Sequence, residues 1–285
     1  MPVSRMSTAL APVAEEVAPP RAHAVARAAW SLVWPIAVAV LIMVVGWMAY
    51  LSFFQVDPSV GKSPADVWEY LFTSSSAGQN RDVVFGALGN TLVDATLGYA
   101  GGLAAALVLA VVFVMFSSVE QAFMPMVMLL RSVPLVAMTP VILLAFGRGP
   151  AGVAVIGGVV VFFPAMVNLV LGLRSTSRQV TELVLAYGGG RFTVIRKVAL
   201  PSALPALFAS ARISVPAALI GALVAEWLAT SGGIGGAIPN AIGGFDYGQV
   251  WSDIVVLTGA SLVIYTVVAV IESAVLTTYG LRGRR

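Results

Sequence analysis

The 285-residue sequence has no cysteine and a single histidine, His23. Without cysteine there is no disulfide and no thiolate chemistry. One histidine, in a stretch that reads as a tail, argues against histidine-ligated metal sites and histidine acid–base catalysis. Charge is scarce. Charged residues make up 10% of the chain and hydrophobic residues 59%, against about 25% charged in a soluble domain. This much apolar surface does not fit inside one soluble core and belongs in a bilayer. The net charge of +3 does not point to nucleic acid, because the basic residues punctuate hydrophobic runs instead of forming one basic face. No Gly-x4-Gly-Lys-Ser/Thr phosphate loop is present, so the chain binds no ATP by that device. No catalytic constellation and no metal-ligand set is legible.

What remains is a series of apolar runs. Residues 1–29 are rich in Ala, Pro and Val and read as a flexible cytoplasmic tail. Six spans are expected within a domain over 30–280: Trp30–Phe54, Ala87–Phe116, Ala122–Phe146, Ala151–Leu171, Ala206–Ala229 and Val250–Leu276. The first is too long for the core of a signal peptide and reads as a retained span. The third carries Pro125, Pro134 and Pro140 and is expected to break there. Gly98-Tyr-Ala-Gly101-Gly102 in the second gives a small-residue face of the GxxxG kind for close helix approach. Ser63-Pro64-Ala65-Asp66 has the residue types of a helix start, and predicts a short interfacial helix. The Gly-rich stretch Ser231–Pro239 follows span five. A basic end, 281–285, closes the chain.

With the N-terminus inside, the inner segments hold twelve Lys/Arg residues and the outer segments three. That asymmetry predicts that both termini and the 173–205 loop face the cytoplasm. Asp246 and Asp253 fall among the outer-segment acids. Asp94, Glu226 and Arg131 fall inside spans. Charges at membrane depth cost a few kcal/mol or more unless they face a partner or a watered path. All three are therefore candidates to line a translocation pathway. Surface packing of the acids at the interface and snorkelling of Arg131 are the alternatives.

The 173–205 loop is polar and holds five of the sixteen Lys/Arg residues. It predicts a short helix capped by Thr181, with Glu182 in its first turn and Gly188 closing it. Gly189 and Gly190 then form a flexible link. A second amphipathic piece, Phe192–Val198, runs up to Pro201 and Pro205. A helix of about seven residues, ~10 Å long, is not stable alone and needs a docking partner.

Glu182, Val184, Gly188, Val198, Leu200 and Pro201 keep the spacing that resembles the EAA loop of ABC-importer permeases. Leu183 and Val184 stand where that family has two alanines. Leu130–Gly147, with Arg131, Pro134, Pro140 and Phe146-Gly147, is similar to the third-span signature of the nitrate, sulfonate and taurine branch. Glu226 followed by Gly233-Ile234-Gly235 resembles another element of that branch. The likeness runs from about residue 58 to 280.

The resemblance implies an all-α integral membrane fold, a six-transmembrane-helix bundle of the type I ABC-importer permease kind with a cytoplasmic coupling helix. It implies a transport subunit in the bacterial inner membrane and no enzyme or cofactor of its own. A separate cytosolic ATPase would bind the ATP. The other implied partners are a second permease copy and an external solute-binding protein. Glu182, Leu183, Ala186, Tyr187, Gly188, Val198, Leu200 and Pro201 would couple to the ATPase. Leu200 and Pro201 would anchor the loop to span five. Arg131, Pro134, Asp94 and Glu226 would belong to the pathway. Arg131 suits a small oxyanion such as nitrate, a sulfonate or taurine. The alternatives are a neutral heterocycle such as a vitamin precursor, or a proton-coupled secondary transporter using Asp94 or Glu226.

Overall fold

A computed structural model describes residues 22–278. The expected tail up to residue 21 and the basic end at 281–285 lie outside the described residues. The chain divides into two units, before and after Val56–Asp57. The first contains one helix, α1 (Ala22–Phe53). It begins eight residues ahead of the expected span, inside the stretch read as tail. Its apolar part, Ala37–Phe53, is shorter than the other spans.

The second unit opens with α2 (Pro64–Trp68), which starts as the sequence predicts. The Asp66 N–H donates to the Ser63 hydroxyl at 3.3 Å, and the Ser63 N–H donates to the Asp66 carboxylate at 2.7 Å. This reciprocal box satisfies two donors that the first turn otherwise leaves free. The hydrogen bond from the Ser63 backbone, with that of its side chain, holds the Asp66 carboxyl below the usual carboxylate range. A π turn over Glu69–Thr73 follows.

Helix α3 (Ala77–Met115) is ten residues longer at its start than the expected span. α4 (Ser117–Ser132) and α5 (Leu135–Phe146) replace the expected third span. They bend by 108° at the break. The residue before a proline is pushed out of the helical region, and Val133 is indeed extended, at φ −76° and ψ 126°. Only Pro134 breaks the chain. Pro125 and Pro140 sit within α4 and α5, which corrects the expectation of three breaks.

α6 (Pro150–Arg174) lies between α3 and α10 (Leu204–Ala225). Between α6 and α10 come α7 (Arg178–Ala186), α8 (Arg191–Val194), a π turn over Ile195–Ala199, and α9 (Leu200–Ser202). α10 continues into a π turn, Glu226–Thr230. The Gly-rich stretch is not a loop but mostly α11 (Gly233–Gly243). α12 (Tyr247–Thr278) completes the unit. The Tyr70 hydroxyl donates to Asp246 at 3.0 Å, which fixes the start of α12 against the π turn after α2.

Four helical segments, α3, α6, α10 with its π turn, and α12, are each long and apolar enough to cross a membrane. A count of six requires the bent α4–α5 pair and the short apolar part of α1 to be added. The three central helices meet on glycine. A Cβ at Gly98 would lie 2.8 Å from the Gly157 Cα, and one at Gly221 would lie 2.7 Å from the same atom. Gly102 meets Gly158 in the same way, with 2.5 Å from its ideal Cβ to the Gly158 carbonyl oxygen. Gly101, adjacent in sequence, faces open space. Such contact brings backbones close enough for dense packing, the main attraction between helices in lipid. Toward the α7 end, Phe113, Met166, Leu169 and Leu173 are fully buried in one apolar cluster.

Candidate functional site

Two regions carry the candidate residues, at opposite ends of α6, which is about 37 Å long at 1.5 Å per residue. The first is the α7–α9 segment. α7 starts after Ser177, whose backbone is extended, and not at Thr181. The Thr181 hydroxyl instead donates to the Ser177 carbonyl at 3.2 Å, inside the helix. Glu182 is therefore mid-helix, where it accepts from Arg178 at 2.8 Å, one turn back. Both side chains are exposed, so this pair contributes a few tenths of a kcal/mol to the helix.

Gly188 closes α7 with φ +80°. Its N–H donates to the Leu185 carbonyl at 3.0 Å, and the Gly189 N–H donates to Val184 at 2.9 Å. That pair of bonds is a Schellman ending, which needs the left-handed residue that glycine supplies. Gly189 is not a flexible link. A Cβ there would lie 2.7 Å from the Val184 side chain and 2.8 Å from its carbonyl oxygen. Gly190 is the extended residue that starts α8.

No residue of α7 is buried. Leu183 is 56% exposed and Tyr187, just past its end, is 86% exposed. The segment is anchored further on. Ile195 and Ala199 are buried against α3 and α6, and Leu200 packs on the same cluster. That cluster also contains Ala203 and Leu207 at the start of α10. Val198 and Pro201 are half-buried. Pro201 and Pro205 lie in the first turns of α9 and α10 and start those helices. Ile195 and Ala199 escaped the sequence reading, although their spacing of four on one helical face is the signal that marks them.

The second region surrounds Glu226, the one charged residue with a fully buried side chain in α10 and its π turn. Its Oε2 accepts from the Gly235 N–H at 2.7 Å and from the Thr91 hydroxyl at 3.0 Å. The Thr91 oxygen in turn accepts from the Ile234 N–H at 2.9 Å. Three elements are thereby tied together: α3, the π turn after α10, and the first turn of α11. The glycines of α11 make room for this. A Cβ at Gly233 would lie 2.2 Å from the Glu226 Oε1, and one at Gly235 would lie 2.9 Å from Oε2. Oε1 itself has no hydrogen-bond partner.

Asp94 is half-buried one turn beyond Thr91, within electrostatic range of Glu226. The structure thus brings Asp94 and Glu226 together. It does not bring Arg131 to them. Arg131 is exposed in the last turn of α4, with Pro134 exposed at the break. No ion pair joins Arg131 to an acid among the described residues. Sequence reading missed Thr91, which carries no local signal. It also placed Asp253 in an outer segment, whereas Asp253 is fully buried in α12 and neither carboxylate oxygen is hydrogen-bonded. A pair between two apolar helices was also missed: Arg212 of α10 meets Glu272 of α12 at 3.1 Å and lies over the Tyr265 ring.

Residues 102–278 match the family described as the binding-protein-dependent transport system inner membrane component. The chain belongs to that family. Three relatives illustrate its range. The riboflavin transport system permease protein RibX of Chloroflexus aurantiacus is 32% identical over 153 residues, 54% of this chain and 57% of that protein. The formylaminopyrimidine transport permease protein ThiX of Halalkalibacterium halodurans is 28% identical over 197 residues, 69% and 79% of the two chains. The putative aliphatic sulfonates transport permease protein SsuC of Bacillus subtilis is 30% identical over 158 residues, 55% and 57%. The chain thus spans little more than half the length of the first and third. This membrane component is all-helical over the described residues, and the family match includes both candidate regions except for Thr91 and Asp94.

Proposed function

We propose that the chain is the membrane-spanning subunit of an ATP-driven importer. Two copies form the pathway, each docks a cytosolic ATPase through α7, and an external binding protein delivers the solute. The observation that carries this reading is α7 itself, a nine-residue helix with no buried residue and an exposed apolar face. Its C-terminal end is held by the Gly188 turn and, further on, by Ile195 and Ala199 in the core, and its N-terminal end follows within four residues of the end of α6. A helix so held passes on movement of its partner as rigid-body displacement instead of bending.

The coupling residues are Glu182, which braces the helix through Arg178, and Leu183, Ala186 and Tyr187, which meet the ATPase. Gly188 makes the turn, and Val198, Leu200 and Pro201 seat the segment. Both termini and α7 face the cytoplasm. Cysteine placed at Ser177 is expected to react only from inside, and at Ser75 only from outside. Uptake in proteoliposomes with the ATPase and binding protein is expected to require ATP. Uptake that runs on a proton gradient without ATP favours the proton-coupled reading that Asp94 and Glu226 otherwise support.

The relatives' names span a flavin, a pyrimidine and sulfonates, so they do not choose the solute. The case for an oxyanion rests on Arg131, exposed beside the Pro134 break. Arg131→Ala is expected to impair uptake of such a solute and leave ATPase binding intact.

A further inference from the structure

A cavity of about 270 Å³ opens at the end of the bundle away from α7. Its polar wall is Asn90 and Asp94 of α3 and Thr230 of the π turn. Gly232 and Gly233 close one side, and Gly149 and Pro150 at the start of α6 close another. No lysine or arginine contributes to the wall. Arg148, one residue outside it, is exposed.

Behind Gly233 stands Glu226. Its Oε1 is buried, has no hydrogen-bond partner, and lies 2.2 Å from where a Cβ on Gly233 would be. Gly233 lines the cavity, and the absence of its Cβ leaves the room that this oxygen occupies. Any larger residue would collide with it. The cavity therefore has one carboxylate in its wall and a second carboxyl buried next to a wall residue, Gly233.

The start of α6 opposes this with its helix dipole, but a helix N-terminus amounts to about half a positive charge. The Asp94 carboxylate alone outweighs it. Clefts lined by one sign of charge, with low-dielectric walls, concentrate ligands of the other sign. Asn90 and Thr230 also offer acceptor oxygens, although the Thr230 hydroxyl already accepts from the Gly232 N–H at 3.3 Å.

We propose that this cavity binds the N–H donor face of the solute, an amino-substituted heterocycle or organic ammonium, through Asp94 with the buried Glu226 carboxyl behind it. The proposal rests on the permease reading for its place in transport. It conflicts with an oxyanion as the ligand of this cavity, whatever Arg131 binds. Asp94 is the specificity-determining residue, and Gly233 is the positioning residue whose missing side chain lets the Glu226 oxygen sit next to the wall.

The natural chain has no cysteine, so a single thiol reports on the cavity. Thr230→Cys in the full chain, reconstituted in nanodiscs, is to be reacted with a cationic and an anionic methanethiosulfonate. The ratio of rates is normalised to that of Ser75→Cys on the exposed surface. The expected preference for the cationic reagent is about tenfold or more, falling toward the surface ratio when Asp94→Asn is added. 4-Aminopyrimidine is expected to slow the labelling, and methanesulfonate to leave it unchanged. A ratio equal to the surface value, a ratio unmoved by Asp94→Asn, protection by methanesulfonate, or protection by neither compound overturns the proposal. None of these measurements needs the ATPase or uptake, so loss of the permease reading would be seen separately, in failure of the ATPase to co-purify.

Discussion

Glu226 and Gly235 are joined by a 2.7 Å hydrogen bond across the Gly-rich turn that separates α10 from α11. The carboxylate does for the first turn of α11 what a capping side chain does for an isolated helix. It accepts an N–H that has no partner within the helix. Thr91 extends the same tie to α3, 135 residues away in the sequence.

Removing the Glu226 carboxyl leaves the Gly235 N–H without its acceptor in a buried place, while the Thr91 hydroxyl keeps the Ala87 carbonyl at 3.2 Å. Such a group costs about 1–3 kcal/mol. Glu226→Ala is expected to destabilise the purified protein by about 1–3 kcal/mol, whereas Glu226→Gln, which keeps an acceptor oxygen, costs less. Thermal melting in detergent reads both. Equal melting of Glu226→Ala and the natural protein would show that the tie carries no stability.

Gly221 tests the helix crossing. A Cβ at this position lies 2.7 Å from the backbone of Gly157, so neither side can yield without moving a helix. Gly221→Val is expected to cost at least about 1–3 kcal/mol by overpacking. Gly101→Ala, on the open face of α3, is expected to be neutral or slightly stabilising. Folded yield by size-exclusion chromatography compares the pair, and similar yields would contradict the close approach.

At the docking helix, Gly188 has φ +80° with open space around its Cα. The obstacle to substitution is therefore conformational and not steric crowding. Gly188→Val forces a β-branched residue into the left-handed region, at a cost on the order of 1–3 kcal/mol. The bundle has its own buried core and is expected to fold. ATPase co-purification is expected to fall, or ATP hydrolysis to lose its coupling to uptake. Wild-type values for both would remove α7 from the coupling role.

The Ser63–Asp66 box predicts a pH dependence. The Asp66 carboxyl titrates below its usual range in the folded protein. Its contribution is thus fully present above the unfolded value of about 4 and is lost as pH falls through the lower folded value. Asp66 is largely solvent-exposed, which keeps the effect to about 0.5 kcal/mol. Asp66→Asn is expected to lower the melting temperature slightly at about pH 6, with the difference shrinking toward about pH 3. A difference independent of pH would mean that the carboxylate charge plays no part in the cap.

Features that depend on neighbours along the chain are legible in the sequence itself. Low charge and long apolar runs fix a membrane protein, because only a bilayer accepts that much apolar surface. The cap at Ser63 and the turn at Gly188 follow from the local stereochemistry of serine and glycine, whereas which of Pro125, Pro134 and Pro140 breaks the third span does not. The family match confirmed the permease class that the loop spacing suggests. Tertiary structure alone decided what residues far apart do together. Gly98, Gly157 and Gly221 come from three helices, and only the packing shows that they meet, while Gly101, in the same small-residue run as Gly98, faces open space. Arg212 reads as an inner-end charge until Glu272 is found beside it. The run Ser231–Pro239 reads as a Gly-rich connection, yet its glycines are there because a buried carboxylate leaves no room for a Cβ at Gly233 or Gly235. Local pattern records the preferences of a segment. Which groups share a dielectric, a hydrogen bond or a contact is set by how the helices pack.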